Sequence, residues 1–122
     1  MPSVSVADAR VRYERTGTGT GPALVLVHGT GSAGAALTWG QIAPLLARDR
    51  TVSTLDLSGA GETTDDGGPL TVEGLAAQVA AVIEDAGTGP ADLLGFSMGA
   101  PVTAAVAALR PDLVHRLILV AG

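Results

Sequence analysis

Apolar residues follow several distinct rhythms along this chain, and glycines and prolines mark where one rhythm gives way to another. In "SVSVADARVRYERTG" (3–17), apolar and polar positions alternate on either side of Ala7-Asp8-Ala9. Alternation with a short polar break predicts two antiparallel strands joined by a tight turn, an N-terminal β-hairpin. "ALVLV" (23–27) is instead an unbroken apolar run between Gly21-Pro22 and Gly29, as a strand buried on both faces requires. Trp39, Ile42, Leu45 and Leu46 then recur at helical spacing, although Gly40 weakens that helix and Pro44 would interrupt its hydrogen-bond ladder. Two abutting helical turns are predicted there, with Pro44 starting the second. "TVSTLD" (51–56) predicts a strand ending in Asp56, and "LSGAGETTDDGGP" (57–69) an acidic, glycine-rich surface loop of the kind that borders sites.

Beyond Thr71 the period becomes helical, with Val72, Leu75, Val79, Val82, Ile83 and Ala86 on one face. Thr71 can cap this helix, Glu73 suits its positive first turn, and Gly87 stops it. "ADLLGFSMGAPVTAAVAALRPD" (91–112) reads as strand, sharp turn and an Ala-rich helix ending before Pro111, and "LVHRLILVAG" (113–122) as a closing strand. Strands alternating with helices predict an α/β fold: a mostly parallel sheet with an antiparallel N-terminal hairpin and helices on both faces. At 122 residues the chain amounts to a single domain, 1–122, that is short for an α/β enzyme.

Composition narrows the partners. With one Trp, one Tyr and one Phe, the core has to be built from Val, Leu, Ile and Ala, which suits a covered parallel sheet. Net charge is −5, and all seven basic residues are Arg, scattered from Arg10 to Arg116, so no basic stripe exists and no nucleic acid is expected. The absence of cysteine removes disulfides and thiolate metal sites, and neither a metal nor a cofactor is expected. "MPSVSVADAR" has neither a positive start nor an apolar core, and no run of about 18 apolar residues follows. No signal peptide and no membrane association are expected, which makes a cytoplasmic location the default.

Two glycine-rich turns carry the candidate chemistry. "GFSMG" (95–99) fits G-x-S-x-G between a short apolar strand and a helix. There a serine occupies a strained turn that aims its Oγ out of the sheet, and the positions two before and two after it, Gly95 and Gly99, have to be small. The following helix also points free N–H groups and its positive end at Ser97. The other turn, "LVLVHGTGSAG" (24–34), spaces Gly29-x-Gly31-x-x-Gly34 like a dinucleotide-binding fingerprint, with Asp56 placed about where a ribose-binding carboxylate belongs. Against that reading, "SAGAALTWGQIAP" (32–44) has poor helix signals near Gly34, and neither His28 nor the later elbow finds a purpose in it.

Taken in order, the hairpin, "LVLVHGTG", "TLDLSGAGET", "LLGFSMGA" and "RPDLVHRLILVAG" resemble the landmarks of the α/β-hydrolase fold family over nearly the whole chain. The resemblance implies a hydrolase core acting on an ester, thioester or lactone through an acyl-Ser97 intermediate. It implies Ser97 as nucleophile and the backbone N–H groups of Thr30 and Met98 as the oxyanion hole. His28, Gly29, Gly95 and Gly99 would support them. A lyase, cyclase or acyltransferase on the same fold, or a non-catalytic module, stays open. The chain has only two histidines. His115 opens the last strand, about six extended residues or roughly 20 Å from the edge where Ser97 projects, and the family's histidine at the His28 position holds a loop. Asp56 is expected to bond N–H groups at its turn. Because the family order is serine, acid, histidine, acid and base are expected beyond Gly122, with a lid, in a complementary C-terminal segment or chain. That expectation makes 1–122 the N-terminal portion of a hydrolase core, from a protein that is split, cleaved or truncated, acting on a small-molecule acyl substrate. It also leaves the last strand as an apolar edge in want of a neighbour.

Overall fold

The computed structural model describes residues 3–6, 9–17, 22–29, 34–58, 71–87 and 89–120. Six strands form one sheet: β1 (Ser3–Val6), β2 (Ala9–Thr16), β3 (Leu24–Val27), β4 (Val52–Leu55), β5 (Ala91–Phe96) and β6 (Val114–Val120). Their spatial order is β1-β2-β4-β3-β5-β6. β1 and β2 pair antiparallel, β2 pairs antiparallel with β4, and β4, β3, β5 and β6 run parallel. This is the mixed α/β sheet with an N-terminal hairpin that the sequence predicts. The turn at Ala7-Asp8 and most of the expected acidic loop, residues 59–69, lie outside the described residues.

All four residues of β3 are buried, because the sheet is covered on both sides. Val25 and Val27 join Leu93 and the helices α3 (Val72–Ala86) and α4 (Gly99–Leu109) in the larger core. Leu24 and Leu26 face the other way, toward Ala35 and Trp39 of α1 (Gly34–Trp39). Alternate β3 side chains therefore anchor the two helical layers, each buried Leu or Val contributing about 1.5–3 kcal/mol. α2 (Ala43–Leu46) is the second abutting turn, with Pro44 in its first turn, where a missing N–H costs nothing.

α3 carries the expected caps. Thr71 Oγ1 accepts the Gly74 N–H at 3.0 Å, and Gly87 closes the helix at φ 69°, in the left-handed region that glycine enters without strain. α1 departs from expectation, since it begins at Gly34 despite weak local signals. The reason is tertiary: Asp56 Oδ1, just past β4, accepts the Ala35 N–H at 2.8 Å and so caps the helix from across the sheet. Leu113, expected in the last strand, instead ends a short 3₁₀ turn, Pro111–Leu113. Among the described residues no helix is long and apolar enough to cross a membrane.

Candidate active site

The turn between β5 and α4 is the most strained point of the described backbone. Ser97 has φ 57° and is the only described non-glycine residue with positive φ. An L-residue pays about 1–2 kcal/mol for that conformation, so the surroundings have to impose it. Two backbone bonds do so: the Ser97 N–H donates to the Val120 carbonyl at 2.9 Å, and the Ser97 carbonyl accepts the Ala100 N–H at 3.0 Å. Close packing does the rest. A Cβ on Gly95 would lie 2.3 Å from the Gly99 carbonyl oxygen and 2.4 Å from Thr103 Oγ1, and one on Gly99 would lie 2.3 Å from the Val27 carbonyl oxygen. Both positions therefore exclude any side chain. The buried Thr103, which no sequence motif includes, donates its hydroxyl to the Gly99 and Ala100 carbonyls and ties down the first turn of α4. Its only signal is a polar residue four positions after Gly99 on the apolar face of an Ala-rich helix.

The end of β3 comes up beneath this elbow. A Cβ on Gly29 would sit 3.0 Å from Ser97 Cβ and 3.4 Å from Ser97 Oγ, so the hydroxyl stands over the Gly29 backbone. That contact accounts for the glycine without any pyrophosphate. His28 beside it is buried, at 2 % exposure. Its Nδ1 lies 2.6 Å from the Gly29 carbonyl oxygen, and its Nε2 accepts the Leu57 N–H at 3.0 Å. An acceptor at Nε2 places the proton on Nδ1, so both ring nitrogens are engaged and neither faces Ser97 as a free base. Asp56 is equally committed: it is buried, it holds the Ala35 N–H, and Oδ2 lies 3.5 Å from Arg12 Nη1. A carboxylate so occupied is not offered to a ribose. Thr30, Gly31 and Ala33 lie outside the described residues.

Around Ser97 the surface is open. Ser97 is half-buried, while Phe96 and Met98 on either side are 39 % and 40 % exposed. Phe96 meets the buried Trp39 edge-on, with ring centroids 6.4 Å apart. Among the described residues, neither Ser97 Oγ nor the Met98 N–H enters a hydrogen bond. Met98 is the residue from which α4 starts, so its N–H is one of the unpaired donors at the positive end of an eleven-residue helix. A hydroxyl beside an unspent donor can attack an electrophilic carbon while the donor receives the charge that develops.

His115 does not belong to this site. Its Nδ1 lies 2.8 Å from Asp92 Oδ1 near the start of β5 and β6, whereas Ser97 follows the end of β5. Arg50 holds the other Asp92 oxygen at 2.8 Å. Burial opposes ionisation of Asp92, but the hydrogen bonds from Arg50 and His115 outweigh it and hold the carboxyl below its ordinary range. The cluster ties strands together at the far end of the sheet.

The profile of the α/β-hydrolase fold matches residues 22–122, and the chain belongs to that family. Over 119 residues it is 48% identical to pyrrolizixenacetamide deacetylase of Xenorhabdus hominickii, an alignment covering 98% of this chain and 44% of that protein. It is 38% identical to a pimeloyl-[acyl-carrier protein] methyl ester esterase of Aeromonas hydrophila, over 92% of this chain and 41% of the esterase. An α/β hydrolase of known structure from Sphaerobacter thermophilus superposes with a TM-score of 0.82 at 32% identity, over 97% of this chain and 44% of that one. The chain thus spans less than half the length of these hydrolase relatives.

Proposed function

We propose that this chain is the nucleophile-bearing part of a serine hydrolase that cleaves a small carboxylic ester, thioester or lactone through an acyl-Ser97 intermediate. The observation that carries the proposal is Ser97 at φ 57°, held over Gly29 with a hydroxyl that bonds to none of the described residues. In the first half-reaction Ser97 Oγ bonds to the acyl carbon and passes its proton to a base. The tetrahedral oxyanion is met by the Met98 N–H and, from the residue after Gly29, by the Thr30 N–H. As the intermediate collapses, the bond to the leaving oxygen or sulfur breaks and that atom takes up a proton. Water then attacks the acyl-serine, releasing the acid and restoring the hydroxyl. Removing one donor from such a hole costs about 3 kcal/mol of barrier.

No histidine of this chain suits the role of base: His28 is spent on the loop and His115 is bonded to Asp92. Acid and base come, in this proposal, from a segment outside residues 1–122. The relatives' names support the chemistry, since one is a methyl ester esterase and the other a deacetylase, and both activities cleave a bond to an acyl carbon. The test is a single-chain chimera in which residues 1–122 replace the aligned region of the Xenorhabdus deacetylase. It should hydrolyse short acyl esters of p-nitrophenol, and Ser97→Ala should abolish the activity. Turnover that survives Ser97→Ala would overturn the proposal.

A further inference from the structure

We infer that the space between the α1–α2 segment and the β2–β4 pair is a binding site, separate from the elbow, for a small, mostly apolar molecule that carries a carbonyl or hydroxyl oxygen and no negative charge. The floor is a square patch of the sheet, in which Glu14 stands opposite Thr54 and Thr16 opposite Val52. Tyr13 and Leu55 belong to the larger core on the other face, so these four point toward α1 and α2. Facing the floor, Ala35, Trp39, Ala43 and Ala47 recur every four residues, and three of the four are alanine. Such short side chains do not reach across, and a cavity of about 270 Å³ is left. Among the described residues, none of Gly29, Phe96, Ser97 or Met98 lines it. β3 and β5 stand between β4 and β6, so the cavity owes nothing to what adjoins the last strand.

Two polar groups select the occupant. Trp39 is 6 % exposed, and its Nε1 is buried with no hydrogen-bond partner among the described residues. An indole N–H can only donate, and leaving one buried and unmatched costs about 1–3 kcal/mol. An oxygen brought in through the cavity that Trp39 lines would recover part of that cost. A lone water suits the position less well, because Thr54 is the only other buried polar side chain on the described lining, and a buried water needs about two to four partners. At the rim, Glu14 is exposed and enters no hydrogen bond or ion pair among the described residues, and no cation lines the cavity. An anion would lose its hydration there beside a like charge, whereas a ketone, ester or alcohol loses little. Since about 150 Å³ takes a benzene, the cavity has room for about ten heavy atoms, and its alanines, Pro44 and Val52 supply the apolar contact that such sites use.

The site does not depend on the acyl-Ser97 reading. Its test uses the full 122-residue chain labelled with nitrogen-15, whose single tryptophan gives one indole N–H resonance. Three probes of equal size are titrated: cyclohexyl methyl ketone, isopropylcyclohexane and cyclohexanecarboxylate. The ketone should move the indole proton downfield and saturate with a Kd below about 1 mM. The hydrocarbon should leave that proton nearly in place, and the carboxylate should bind at least about tenfold more weakly than the ketone. Ala43→Leu extends a side chain into the cavity and should weaken the ketone at least about tenfold while keeping the circular dichroism of the parent. Should that variant misfold, nuclear Overhauser contacts in the parent locate the ketone, and they are expected to the methyl groups of Ala43, Ala47 and Thr54. The absence of a saturable indole shift, a carboxylate that binds as tightly as the ketone, a folded Ala43→Leu that binds unchanged, or Overhauser contacts to other residues only overturns the inference.

Discussion

Replacing Gly95 with alanine tests how tightly the elbow is built. The new Cβ would lie 2.3 Å from the Gly99 carbonyl oxygen, 2.4 Å from Thr103 Oγ1 and 2.7 Å from the Gly99 carbonyl carbon. Two of these are backbone atoms in the first turn of α4, and the third belongs to a fully buried, β-branched side chain. None is the free end of a flexible group, so β5 and α4 have to separate. Overpacking of this kind costs about 1–3 kcal/mol, and contacts this short point to the upper end, about 3 kcal/mol. With a urea slope of about 2 kcal/mol per molar, the unfolding midpoint should fall by about 1.5 M. The single tryptophan, Trp39, is 6 % exposed and reports unfolding directly by fluorescence. Gly87→Ala is the control: at φ 69° with nothing within 4 Å of its Cβ, it should lose only the conformational term, about 1 kcal/mol. Adding Thr103→Ala to Gly95→Ala should recover part of the loss, because the Gly99 oxygen remains. A Gly95→Ala midpoint no lower than that of Gly87→Ala would refute the packing argument.

Other perturbations separate strain, capping and charge. Ser97→Gly removes the Cβ from a position at φ 57° and should raise stability by about 1 kcal/mol in the same urea titration; a loss of stability would show that the strain is not there. Asp56→Ala leaves the Ala35 N–H without its acceptor and should cost about 1–3 kcal/mol, with faster exchange of the Ala35 amide as the site-specific sign. Asp92 has its folded pKa depressed by Arg50 and His115 against the opposing effect of burial. Its contribution to stability is therefore complete above the ordinary carboxylate value near 4 and is lost as pH falls below it. The stability difference between the parent and Asp92→Asn should shrink as pH is lowered from 6 toward about 3; a difference independent of pH would contradict the assignment.

Where structure depends on neighbours along the chain, it was legible. Alternation in 3–17, the closed apolar run at 23–27, and the Thr71 and Gly87 caps are each decided within a few residues, and each appears as expected. The elbow was legible for the same reason: Gly95 and Gly99 flank a serine between a strand and a helix, and steric demand alone explains both. What was not legible comes from distant partners. The start of α1 is fixed by Asp56, 21 residues from the N–H it caps. Tyr13 bonds to Asp85 across 72 residues, and His115 to Asp92 across 23, with no local pattern announcing either. Nothing local sets Thr103 apart within its Ala-rich helix; its place is defined by Gly95 packed against it. The fingerprint at 29–34, set aside on its poor helix signals, has a related explanation that only distant partners supply. Its first glycine is demanded by Ser97, which lies far along the chain, and its matching carboxylate is already spent as a helix cap.

The most direct test of the account is where a fluorophosphonate becomes attached when the chimera carrying residues 1–122 is treated with it and mapped by peptide mass spectrometry. The account predicts a single phosphonyl group on Ser97, absent from the Ser97→Ala variant and formed far more slowly on the 122-residue chain alone, because the proposal draws the base from outside residues 1–122. Ester hydrolysis by the chimera with Ser97 unmodified, or with the label on another residue, would contradict it.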